Sequence, residues 1–282
     1  MSVPQLKNCS LFIGRIILYM LVLVGALLMI MPFYWMFITS VSPIRDIVAF
    51  PPKWIPSRLT FEHFIAVFNT APFHLYYLNS LIVAAASVGC SVVFGLFAGY
   101  AFVVYRFPLR NFFFILILST IMIPFQVTSV ALYVMLAKIG WVNTYLGILA
   151  PNFGSALGVF LIRQSIKSIP IDMIEAARLD GASEVRIVST IVAPIIKTSL
   201  AIVILILFLG SWNDFLWPLI VINSKNLRTV PVGLSLFKDP YGSMNYGPLM
   251  AASVISTLPM LVAYIFSQKF VIKGIAITGL KG

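Results

Sequence analysis

The chain has 282 residues, of which 61% are hydrophobic and 10% charged, and its formal net charge is +11. A mean hydropathy of +1.04 excludes an ordinary soluble domain and makes lipid the solvent for most of the chain. The positive charge does not point to nucleic acid, because the basic residues flank apolar stretches and form no single patch.

Six stretches are long enough to cross a bilayer core about 30 Å thick, which takes ~20 apolar residues per helix. They are residues 15–40, 79–105, 111–137, 144–162, 198–222 and 249–269. A helix satisfies its own backbone hydrogen bonds, as lipid requires. The sequence therefore predicts an all-α integral membrane protein of six transmembrane helices in one domain. With the N-terminus inside, twelve of the nineteen Lys and Arg residues fall on the cytoplasmic side, with sharp local excess at Arg106–Arg110 and Arg163–Lys197. The positive-inside rule then gives an N-in, C-in topology.

Residues 1–14 form a cytoplasmic N-terminus. The first span is too long for a signal-peptide core and lacks a small-residue cleavage site, so it reads as an uncleaved helix. Cys9 precedes it and Cys90 lies within the second span; at different depths, they make neither a disulfide framework nor a metal site. After the first span, Pro43, Pro51, Pro52 and Pro56 deny the outer segment a continuous helix. Thr60 is placed to cap a short interfacial helix. His63 and His74 read as surface or interfacial histidines without a ligand cluster.

Asn79 and Ser80 begin the second span and read as its caps. In the third, Gln126 follows Pro124, where a kink frees backbone groups. In the fourth, Asn152 and Ser155 sit near Gly154 and Gly158; they line a solute path or serve as helix-packing glue. Asp214 lies about sixteen residues into the fifth span, roughly 24 Å along at 1.5 Å per residue. Trp212, Asn213, Phe215 and Trp217 surround it. Aromatic faces beside hydrogen-bonding groups suit a sugar; the alternative is an aromatic belt with Asp214 capping or pairing structurally. The outer loop that follows is rich in Gly, Pro and Asn and predicts turns. The tail at 270–282 is glycine-rich and basic and looks disordered by itself.

The cytoplasmic loop at 163–197 is the interruption that needs explaining. Pro170 suits a helix first turn, and Asp172 followed by Glu175 resembles a capping box. Gly181 permits a left-handed stop, Ser183 can cap a second helix, and Pro194 closes it. Two readings stand: an amphipathic hairpin on lipid headgroups, or a handle for a partner. In the second, the small Ala176–Ala177 pair allows close approach, and Glu175 and Arg178 supply orienting charge. No glycine-rich phosphate loop and no nucleophile–base arrangement is present, so no catalysis, metal or cofactor is expected of this chain.

Glu175-Ala176-Ala177, Gly181, Ile191 and Pro194 stand at the spacing of the EAA loop, and the chain resembles the membrane subunits of bacterial binding-protein-dependent ABC importers. "DGAS" at Asp180–Ser183 is similar to the sugar-importer branch, particularly the maltose-type second permease. So are "YRFPLRN" from Tyr105, "MIPFQV" from Met122, "SWNDFLWPL" from Ser211 and the terminal "TGLKG". Ala193 departs from the Leu common before that proline, a small apolar change. The similarity covers about Leu78 to Gly282.

The resemblance implies the type I importer permease fold in the bacterial cytoplasmic (inner) membrane, one half of a two-subunit pore, in this branch a heterodimer. It implies an ATPase dimer that holds ATP and Mg and grips the loop, and an extracytoplasmic solute-binding protein on the other face. Glu175, Ala176, Ala177, Asp180 and Gly181, with Arg178, are then the coupling residues. Tails of this branch reach toward the ATPase. Trp212, Asn213, Asp214, Gln126, Asn152 and Ser155 are the substrate-path candidates. A sugar is the expected cargo; a polyol, a glycerol phosphodiester or an amino acid, or a stand-alone channel or secondary transporter, are the alternatives.

Overall fold

The computed structural model describes residues 3–237 and 245–279, and the side chains of residues 14–237 and 245–272. The described secondary structure is helical. The chain divides into two units, residues 1–71 with 237–255 and residues 72–236 with 256–282.

The first unit opens with α1 (Val3–Val41), whose apolar stretch Gly14–Val41 is exposed along most of its length. An all-round apolar surface of that length suits lipid. The helix already runs at Val3, through the predicted N-terminal segment. The proline-rich segment then makes only α2 (Ile44–Ile47) before α3 (Glu62–Thr70). Asp46 organises it: this buried carboxylate accepts from Lys53 Nζ at 2.6 Å and from the Ser57 amide at 2.7 Å. The Tyr34 hydroxyl donates to the Trp54 carbonyl, and Trp54 packs edge-on to Trp35. The Thr60 hydroxyl accepts from the Glu62 amide, while Phe61 holds the cap position. His63 is not a surface histidine: it is 8% exposed, with its ring nitrogen 2.8 Å from the Ser42 carbonyl. His74 is exposed.

The second unit is built on α4 (Phe73–Val104), which begins six residues ahead of the expected span. Asn79 and Ser80 therefore lie inside a helix and do not cap it. Asn79 donates to the carbonyls of Asn226 and Arg228 and accepts from the Tyr145 hydroxyl; Ser80 accepts from the Val230 amide. Together they pin the loop beyond residue 222.

The third stretch is two helices, α5 (Arg110–Met122) and α6 (Phe125–Lys138), bent by 101°. Pro124 has no amide to donate and biases its predecessor to extended backbone, which Ile123 adopts at φ −85° and ψ 117°. The fourth is α7 (Tyr145–Leu149), a 3-10 turn at Ala150–Asn152, and α8 (Ala156–Ile166), bent by 46°. α8 packs on α4 over glycine: a Cβ on Gly99 would lie 3.0 Å from the Arg163 backbone nitrogen.

After α8 come α9 (Ile171–Leu179), α10 (Glu184–Ile187), a π turn at Val188–Val192, α11 (Ala193–Ile195) and α12 (Lys197–Trp212). The chain bends by 89° into α12. The fifth stretch ends at Trp212, well short of residue 222, and resumes as α13 (Leu216–Val221). In the outer loop, where turns were expected, α14 (Val230–Leu234) forms with Pro231 in its first turn. The rest of that loop, 238–244, lies outside the described residues. The last helix, α15 (Tyr246–Gly279), carries most of the predicted tail in helical form; residues 280–282 lie outside the described residues.

Three described helices are long and apolar enough to cross a bilayer: Gly14–Val41, Phe73–Val104 and Tyr246–Ile272. The three bent pairs bring the number to six if each crosses as one. A core of Tyr100, Ile162, Ile166, Ile174, Ala177 and Ile187 joins α4, α8 and the helices of the loop.

Candidate functional site

The loop at 163–197 folds largely as its local chemistry dictates. Pro170 occupies the cap position of α9 and has no hydrogen-bonding side chain, and Asp172 lies inside the first turn, so the Asp172–Glu175 capping box does not form. Gly181 adopts φ +80°, the left-handed stop that ends α9. The Ser183 hydroxyl accepts from the Arg186 amide and caps α10. The π turn places an extra residue in the helix ahead of Pro194, whose missing amide would otherwise interrupt the ladder.

The predicted coupling residues do not share a face. Glu175, Ala176, Asp180 and Gly181 are exposed, but Ala177 is 8% exposed and packed in the core with Ile174 and Ile187. The small pair is thus split, one alanine outward and one inward. Beside the outward one stands Leu179, 90% exposed, which the sequence reading did not single out.

Arg178 turns inward. Its Nε lies 2.7 Å from Glu184 Oε1 and its Nη2 3.2 Å from Oε2, a bidentate fork across the Gly181 turn. The Tyr100 hydroxyl donates to Glu184 Oε2 at 2.5 Å, and Arg178 lies over the Tyr105 ring, 5.3 Å from its centroid. The hydrogen bond from Arg178 holds the Glu184 carboxyl below its usual range, with Tyr100 adding to it. The charge of Arg178 is therefore spent within the chain. Glu184 and Tyr100 are contributions that sequence reasoning missed, since 84 residues separate them.

The aromatic cluster near the end of α12 is a packing unit. Trp212 is 2% exposed, stacked on Phe208, edge-on to Tyr77, and its indole donates to the Ser256 carbonyl. Trp217 is buried and donates to the Gly147 carbonyl. Neither offers a face to a sugar. Asp214 Oδ1 accepts from the Trp217 amide at 3.4 Å at the start of α13, the structural role weighed against the selective one. Asn213 bonds back to the Leu209 carbonyl, and Gln126 is exposed in the first turn of α6.

Asn152 and Ser155, by contrast, come together. They line a cavity of about 350 Å³ with Ser87, Ser91, Gly210 and Ser211 and the aliphatic Leu157, Ile206 and Leu207, between α4, the α7–α8 bend and α12. The Ser91 hydroxyl donates to the Asn152 carbonyl, and Ser155 caps α8 at Gly158. The hydroxyl oxygens of Ser87 and Ser211 are buried without a partner. Ser129 and Ser165, by contrast, bond back to their own helices. Among the described residues no charged side chain lines the cavity.

Residues 91–277 match the family model described as binding-protein-dependent transport system inner membrane component. The arabinooligosaccharides transport system permease protein AraQ of Halalkalibacterium halodurans is 38% identical over 228 residues, 80% of this chain and 81% of that protein. The sn-glycerol-3-phosphate transport system permease protein UgpE of Pectobacterium atrosepticum is 32% identical over 264 residues, 91% of this chain and 94% of that one. A solved bacterial ABC transporter that imports the acidic polysaccharide alginate has a chain of the same fold, with a TM-score of 0.82 at 22% identity over 92% of this chain and 97% of that one.

Proposed function

This chain belongs to the inner membrane components of binding-protein-dependent transport systems, and from that membership we propose that it is one permease subunit of an ATP-driven importer carrying a neutral sugar or oligosaccharide across the bacterial cytoplasmic membrane. Each bent pair crosses the bilayer as one unit, which gives six spans with both termini in the cytoplasm. A second permease, different in sequence, completes the pore. An extracytoplasmic binding protein delivers the solute, and an ATPase dimer in the cytoplasm holds ATP and Mg.

The observation that carries this reading is the construction of the loop. Glu175, Ala176, Leu179 and Asp180 project outward from α9, while Ala177 and Arg178 tie the same helix to α10 and α4. A partner gripping the outward face thus moves a rigid lever into the membrane. The force passes through core packing and the Arg178–Glu184–Tyr100 bonds to α4, and through the 89° bend to α12. Those two helices, with α8, wall the serine-lined cavity, which is the solute path on this subunit.

A second reading is a phosphate-bearing cargo, because relatives near 31% identity are named for sn-glycerol-3-phosphate transport. A cavity that carries serine and asparagine groups beside Leu157, Ile206 and Leu207, with no cation among the described residues that line it, favours neutral hydroxyls. The test is purification of the tagged chain in mild detergent with mass spectrometry of what co-elutes, followed by reconstitution in vesicles. A second permease, a P-loop ATPase and ATP-dependent uptake of an arabino-oligosaccharide are expected. Uptake of glycerol 3-phosphate alone would favour the second reading, and elution without an ATPase even after cross-linking in the membrane would end both.

A further inference from the structure

The short turn between α4 and α5 contains a cationic cavity that the import reading does not use. It measures about 600 Å³ and is lined by Arg106, Phe107, Leu109, Arg110, Asn111 and Phe112. Arg110 spends one donor on the Tyr105 carbonyl at 3.3 Å. Among the described residues the ion pairs are made by Arg45, Lys53, Arg58 and Arg178, so neither arginine of this turn has an acidic partner.

A third guanidinium lies against the packed face of α5, behind the cavity lining. Arg163 is 8% exposed, its Nε has no hydrogen-bond partner, and its guanidinium lies 3.8 Å from the centroid of Phe114, one helical turn after Arg110. Ring contact satisfies part of that charge and balances none of it. Burying a guanidinium near the like charge of Arg110 is costly unless an anion compensates. The two-pronged arginine fork is shaped for phosphate oxygens.

The rim of the cavity is apolar and open. Leu109 is 66% exposed and Phe112 57%, and the exposed Phe113, Ile115 and Leu116 continue along α5. Arginines beside aromatic and apolar groups at the end of a membrane helix sit at headgroup depth. A free phosphate would use the arginines and leave this stripe bare; a lipid uses both.

We propose that Arg106 and Arg110, backed by Arg163, form a phosphate-ester site that takes the headgroup of an anionic phospholipid, with its acyl chains along the exposed face of α5. The site is independent of what the importer carries. The experiment is thermal unfolding of the complete importer, purified in neutral detergent with its co-eluting subunits, against added phosphatidylglycerol, phosphatidylcholine or inorganic phosphate. Phosphatidylglycerol is expected to raise the midpoint by about 3 °C or more and phosphatidylcholine to do much less. In R106Q/R110Q the phosphatidylglycerol needed for half the shift should rise about tenfold. An equal shift with phosphatidylcholine overturns the site, as does an unchanged response of the variant. An equal shift with inorganic phosphate alone overturns the lipid assignment. If the variant does not assemble, the three additives on the unaltered importer still decide between these outcomes.

Discussion

Arg178 and Glu184 close the Gly181 turn with two near-parallel hydrogen bonds of 2.7 and 3.2 Å, and Glu184 carries that link onward to Tyr100 of α4. Both charged side chains are about a third exposed or more, so the pair by itself adds little stability. Its consequence is geometric, since it makes α9, α10 and α4 move together. In the reconstituted importer, Glu184→Gln is expected to leave ATP hydrolysis largely intact while solute moved per ATP falls about fivefold, the size of a ~1 kcal/mol coupling loss. Exchanging the two charges (R178E/E184R) should recover part of the ratio. A mere folding defect would lower hydrolysis and uptake together and would not respond to the exchange.

Much of this loop was legible because its chemistry is local. The left-handed Gly181 and the Ser183 cap each depend on neighbours within three residues. The division between Ala176 and Ala177 was also legible in principle: Ile174 and Ala177 are three apart on one face, and Ala176 and Leu179 three apart on another. The Tyr100–Glu184 bond was not, because nothing within either helix specifies it. The broken third stretch was announced by Pro124 as a kink; its 101° amplitude depends on tertiary packing.

Asp46 gives the outer segment a pH dependence of known sign. The hydrogen bond from Lys53, with those from Ser57, holds its carboxyl well below its ordinary value of 3.8. A lowered value means the stabilisation is complete above pH 3.8 and is lost only as pH falls through the lowered value. Hydrogen-exchange protection of the Ser57 amide, corrected for the intrinsic rate, should be flat from pH 8 to about 5. Asp46→Asn should remove much of it at pH 7. A loss of protection already centred near pH 5 would contradict the lowered carboxyl.

Asn79 shows what the apolar pattern hid. Read as a surface cap, it is 3% exposed and makes three side-chain hydrogen bonds that join α4 to the outer loop and α7. Asn79→Leu keeps the approximate volume and strands those partners, so a loss of about 3 kcal/mol is expected. Asn79→Asp retains an acceptor for Tyr145 and faces two carbonyls without donors, and should be no better. Thermal unfolding of the purified complex measures both; a midpoint unchanged in Asn79→Leu would mean the loop is held by packing alone.

Trp212 and Ser211 are adjacent in sequence and should respond oppositely. Trp212→Phe removes the indole bond to Ser256, costs about 1 kcal/mol and leaves the preference among sugars unchanged, because no face of that ring is free. Ser211→Ala deletes a buried hydroxyl without a partner, so stability is kept or slightly raised. Because Ser211 lines the cavity proposed as the solute path, the same change should lower maximal ATP-driven uptake about threefold or more. Half-saturation should hold, since the binding protein captures the solute. Uptake and unfolding measured on both variants separate path from packing: if Ser211→Ala transports as the unaltered chain does while Trp212→Phe shifts sugar preference, the path runs past the tryptophan and the serine cavity is only a packing defect.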